Sequence, residues 1–152
     1  MTLTQKETDL LKDLKGQEQL CIEKYGQWAE KACSEELSSL FRALADVERG
    51  HLTTVNELLA GKVTTPSASS SSPLDTVQTG KVDYASEEDK KRDAFLCADM
   101  LTTEKHVSAV YNTGIFEFSD PQARKTLNHI QSEEQQHGLK IYEFMSANAM
   151  YQ

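Results

Sequence analysis

Long apolar runs are missing from this chain. No stretch approaches the roughly 18 uninterrupted apolar residues of a membrane-spanning helix, and the N-terminal Met-Thr-Leu-Thr-Gln-Lys-Glu lacks the apolar run of a signal peptide. The expectation is a protein synthesised in the cytoplasm and not inserted into a membrane. Basic residues are outnumbered, with 16 Lys and Arg against 24 Asp and Glu and a formal net charge of -8. That balance disfavours attraction to nucleic acid or to an anionic bilayer, both of which are polyanions. Cysteine is limited to Cys21, Cys33 and Cys97, an odd number with no CxxC pair, so reduced thiols are expected rather than a disulfide framework. Proline occurs only at 66, 73 and 121. Long stretches are therefore free to be helical. A length of 152 residues with 38% hydrophobic side chains suits one folded domain over 1–152.

What is present is a repeated pattern of carboxylates and imidazoles. Glu-x-x-His occurs as Glu48 to His51 and as Glu134 to His137, and each copy follows another glutamate, Glu18 or Glu104, by 30 residues. The offset between the copies (104-18, 134-48, 137-51) is 86 throughout, and Tyr25 and Tyr111 share it.

The main break in composition is 62–85, which holds Pro66, Pro73, Gly80 and the run Ser69 to Ser72. It separates two helical hairpins, 4–60 and 86–147. Thr4 with Glu7 forms a capping box before the first helix, Ser34 caps the second, and the second stops before Gly61. Ser86 with Asp89 opens the third helix, which runs to about Phe118, and Ser119-Asp120-Pro121 restarts the chain as the fourth. Each helix has one inward seam stepping by three and four residues. The seams run Leu11 to Ala32 through Glu18, Cys21, Tyr25 and Trp28; Leu37 to Leu58 through Glu48 and His51; Cys97 to Phe118 through Glu104 and Tyr111; and Ala123 to Phe144 through Glu134 and His137. They are apolar except at the repeated Glu and His residues, which argues against these being ordinary solvated side chains. The second helix spans roughly 39 Å, and the 24-residue connection is long enough to return along it. The predicted fold is all-α, a four-helix bundle of two αα-hairpins joined by a long crossover.

Carboxylate oxygen and imidazole nitrogen suit iron or manganese, and residues three apart on a helix can face one ion. Four glutamates would neutralise two divalent cations; without cations they repel one another in a core, and their pKa values should rise. The predicted ligands of a dinuclear iron or manganese centre are Glu18, Glu48, His51, Glu104, Glu134 and His137. The alternative is a vestigial, proton-sharing polar core. Tyr25 and Tyr111 either hydrogen-bond a ligand carboxylate of the opposite half or simply pack. His106, His129 and Glu133 read as surface residues, and Trp28 and Phe118 as packing.

The segments Cys97 to His106, Val110 to Thr113 and Ile130 to Gly138 resemble the coat F family of spore coat proteins, over about Asp93 to Met145. The glutamate and Glu-x-x-His pattern is similar to that of the wider ferritin-like superfamily over both halves. That resemblance implies Glu18, Glu104, His51 and His137 as terminal ligands and Glu48 and Glu134 as bridging ones. The coat F resemblance implies deposition in the spore coat and other coat proteins as partners, and the superfamily resemblance implies redox chemistry on peroxide, oxygen or Fe(II), with no catalytic residue assigned. A homo-oligomer is the expected assembly. Two other readings stay open: a structural coat component in which bundle and metal serve stability or assembly, and a partner-binding bundle with an acidic surface and no metal.

Overall fold

In the computed structural model, residues 1–64 and 72–151 are described; the predicted linker residues Pro66 and Ser69 to Ser71 lie outside them. Four helices form, α1 Gln5–Lys31, α2 Glu35–Leu59, α3 Glu87–Glu117 and α4 Pro121–Ala147. They make a four-helix bundle of two hairpins, with α1 packed on α2 and on α3, and α3 packed on α4.

The helix ends follow the predicted chemistry. The Thr4 side chain accepts from the Glu7 backbone N–H while Glu7 accepts from Thr4 N–H, so two otherwise unpaired donors are satisfied reciprocally. Ser34, Ser86 and Asp120 accept from the N–H groups of Leu37, Asp89 and Ala123. Gly61 ends α2 with φ of +80°, a left-handed conformation that favours glycine. A Cβ there would also lie 2.8 Å from the Met1 carbonyl oxygen.

All four seams face inward. Every predicted seam residue is buried except Trp28 and Ala32 at the end of α1, which are partly exposed. Trp28 Nε1 donates to Asp99 Oδ2 at 2.8 Å, so this side chain anchors α1 to α3 as well as packing.

The connection between the hairpins is more than a spacer. A 3-10 turn at Pro73–Thr76 buries Leu74 against the end of the core that holds Phe41 and Phe144, and Val77 and Val82 pack beside it. Asp93 is fully buried and accepts from Cys33 N–H (2.7 Å), Ser34 N–H (3.0 Å) and the Tyr84 hydroxyl (2.8 Å). It ties the α1–α2 turn, the connection and α3 together, satisfying backbone donors that burial would otherwise leave unpaired. Among the described residues no helix is long and apolar enough to cross a membrane.

The apolar core is divided in two. One cluster contains Tyr25, Phe41, Met100 and Phe144, and the other contains Leu14, Val55, Tyr111 and Leu127, each drawing on all four helices. The repeated Glu and His residues come from the middle of the seams and are themselves buried.

Candidate metal centre

Helical spacing directs Glu48 and His51 of α2, and Glu134 and His137 of α4, to one interior layer, where Glu18 of α1 and Glu104 of α3 meet them. Five of the six are at most 2% exposed and His51 is 3% exposed, so little bulk water competes for their donor atoms. The donor atoms form two groups, each within 4.8 Å of one another: Glu18, Glu48, His51 and Glu134, and Glu48, Glu104, Glu134 and His137. Glu48 and Glu134 belong to both.

Each imidazole reaches across to the opposite hairpin. His51 Nδ1 lies 2.8 Å from Glu134 Oε1, and His137 Nδ1 lies 2.8 Å from Glu48 Oε1. The two rings face one another nearly in parallel, with centroids 5.7 Å apart. At 2.8 Å a nitrogen and a carboxyl oxygen share a proton, held by one or the other. The tyrosines cross over as well. Tyr111 Oη donates to Glu18 Oε1 at 2.6 Å, and Tyr25 Oη donates to Glu104 Oε1.

These contacts divide the carboxylates into two kinds, which corrects the expectation that all four pKa values rise. For Glu48, burial and its contact with Glu18 push the pKa well up; for Glu134, burial and the nearby Glu104 charge do so. Glu18 and Glu104 move the other way. Burial alone would raise both, but hydrogen bonds from neighbouring carboxyls, the facing imidazoles and the crossing tyrosine hydroxyls outweigh it. His51 is also pushed up, since its four carboxyl neighbours outweigh the effect of burial. The surroundings thus favour the protonated form on the pair common to both groups and the charged form on the outer pair.

One contributor is read differently from the sequence. Glu133 is only partly exposed, and its Oε1 lies 3.3 Å from His51 Nε2 and 3.0 Å from Nε2 of His129. It is therefore not merely a solvated neighbour of Glu134. His51 depresses its pKa first by hydrogen bonding and further by charge. The signal available in the sequence was its counterpart 86 residues earlier, the apolar Val47, which marks the position as half inside. His106 and His129 are exposed, as expected.

Residues 92–152 match the Coat F domain. The match covers most of α3 and all of α4, and so contributes Glu104, Glu134, His137, Tyr111 and Glu133 to the layer. No curated protein and no solved structure matches the chain.

Among the described residues, Glu18 Oε2, Glu104 Oε2, Glu134 Oε2 and His137 Nε2 are buried side-chain atoms without a hydrogen-bond partner. Native interiors rarely leave such atoms unpaired, because each costs about 1–3 kcal/mol or more when charged. Three of the four are carboxylate oxygens in the two donor groups. Hard oxygen donors with one imidazole per group fit a divalent first-row metal.

Proposed function

We propose that the layer holds two ions of iron or manganese in a ferritin-like bundle, and that the protein is a redox-active spore coat component acting on peroxide, oxygen or Fe(II). The reading is carried by the two buried donor groups that share Glu48 and Glu134, together with the unpaired carboxylate oxygens between two apolar clusters. Glu48 and Glu134 would bridge, Glu18 with His51 and Glu104 with His137 would complete the two sides, and four carboxylates would balance two divalent charges. When bound, the ions supply electrons by cycling between divalent and trivalent states. The chain's own part is to bind, orient and insulate. Tyr25 and Tyr111 fix one oxygen of Glu104 and Glu18 and leave the other free to coordinate. Glu48 and Glu134 give up protons on loading and can absorb a change in charge afterwards. The apolar clusters above and below exclude water, which strengthens each electrostatic contact within the layer.

The Coat F match favours a second reading, in which bundle and metal serve coat assembly or stability without turnover. Glu48→Ala separates ligand from bystander. It should lose both ions and any peroxide consumption together, whereas retention of two ions per chain would refute the ligand assignment. Two ions without turnover of peroxide, oxygen or Fe(II) would select the structural reading.

A further inference from the structure

One side of the layer borders an opening. Glu104 and Glu134, though buried, line a cavity of about 460 Å³ between α3 and α4, which opens at Leu139, Tyr142 and Tyr151. These three are 53%, 42% and 46% exposed, an apolar mouth on an otherwise acidic chain. The volume lies in the range of small-molecule sites, which are mostly apolar with a few convergent polar groups.

Gly138 provides the depth. It lies one turn after Glu134, and a Cβ there would meet only Leu101 Cδ1 at 3.6 Å, so any longer side chain would project into the opening. The duplicated half lacks this lining. At the offset of 86, Gly138 corresponds to Leu52, and Leu101, Leu139 and Tyr142 correspond to Lys15, Thr53 and Asn56. The cavity is therefore not a by-product of the duplicated fold, because its glycine and its apolar wall occur together in one half.

The chemistry of the walls restricts the occupant. The rings of Tyr142 and Tyr151 meet edge to face, with centroids 5.1 Å apart, and line the opening together with Leu101 and Leu139. The lining carries the Lys105 ammonium as well as the carboxyl groups of Glu104 and Glu134, so neither sign of charge is favoured. On the side of the layer the lining includes Glu104 and Glu134, whose carboxyl groups can exchange a hydrogen bond with a hydroxyl. We propose that this cavity binds a small uncharged aromatic alcohol of the phenol or hydroquinone class, with its ring between the leucines and the tyrosines and its hydroxyl toward Glu104 and Glu134. This deepens the di-metal reading by naming an organic molecule admitted to the same site, but the binding itself requires no metal.

The test is an NMR titration of metal-free protein with p-cresol, with cyclohexanol as the aliphatic control. p-Cresol should shift the signals of Leu101, Gly138 and Leu139, bind at least tenfold more tightly than cyclohexanol, and weaken at least tenfold in Gly138→Leu. Tyr142→Ala, a change at an exposed position, should also weaken binding and serves if Gly138→Leu does not fold. No saturable shift at these residues, equal binding of cyclohexanol, or unchanged binding in both variants would overturn the proposal. Elemental analysis of the same preparation judges the metal reading separately, so failure of one leaves the other standing.

Discussion

The α1–α2 and α3–α4 hairpins place the same residues in the layer but surround them differently. In α2, His51 points Nδ1 at the carboxyls and has Glu133 at Nε2, with His129 beyond at the surface. In α4, His137 points Nδ1 inward in the same way, yet its Nε2 has no hydrogen-bond partner, and the residue corresponding to Glu133 is Val47. A carboxylate behind an imidazole fixes its tautomer and strengthens it as a ligand. Duplication has thus kept the ring of donors, while the residues behind it and the α3–α4 opening differ between the halves. The two sides of the centre should not be equivalent.

The largest effect should come from removing what both halves share. Glu48→Ala or Glu134→Ala should reduce bound metal from two ions per chain to none, whereas Glu18→Ala or Glu104→Ala should leave one, read by elemental analysis after reconstitution. Equal losses in all four variants would contradict the division into common and outer carboxylates. Next come the crossing tyrosines. Tyr25→Phe and Tyr111→Phe each delete a buried hydrogen bond to a carboxylate, and each should cost about 1.5–3 kcal/mol of stability in chemical denaturation of the metal-free protein. The asymmetry can be removed directly. Glu133→Val, which copies Val47, should weaken one of two Co(II) binding steps roughly 10–100-fold and leave the other unchanged. Val47→Glu should tighten the other step.

The smallest and most graded effect is with pH. Glu48 and Glu134 have raised pKa values, so their contribution to stability is present below the ordinary glutamate value of about 4.3 and is lost as pH rises through their higher native values. Glu18 and Glu104 are lowered, so theirs is present above that value and is lost as pH falls through their lower native values. Metal-free protein should therefore lose stability as pH rises above the ordinary glutamate range, while metal affinity rises over the same interval because loading expels the protons on Glu48 and Glu134. Parallel thermal melts with and without Co(II) measure both trends.

Much of this arrangement was legible in the sequence. The four helices follow from seams stepping by three and four, and their starts from Thr4, Ser34, Ser86 and Asp120. The meeting of Glu18, Glu48, His51, Glu104, Glu134 and His137 follows from one constant offset, because equal spacing on packed antiparallel helices places residues at equal depth. What escaped depends on packing between elements. Glu133 is next to Glu134 and faces a different direction on α4, so only the approach of α2 gives it His51 as a partner. Leu74 lies in a proline-bearing, serine-rich segment with no periodicity, yet it is buried. Asp93 near the start of α3 carries no motif, and its role depends on the α1–α2 turn lying above it. The divergent pKa shifts depend on which carboxyl each tyrosine and imidazole reaches, which the chain order alone does not specify.

The most direct test of the central claim is elemental analysis of purified protein after anaerobic reconstitution with Fe(II) or Mn(II). The account predicts two ions per chain; no bound metal after reconstitution would contradict it and leave the layer as a proton-sharing polar core.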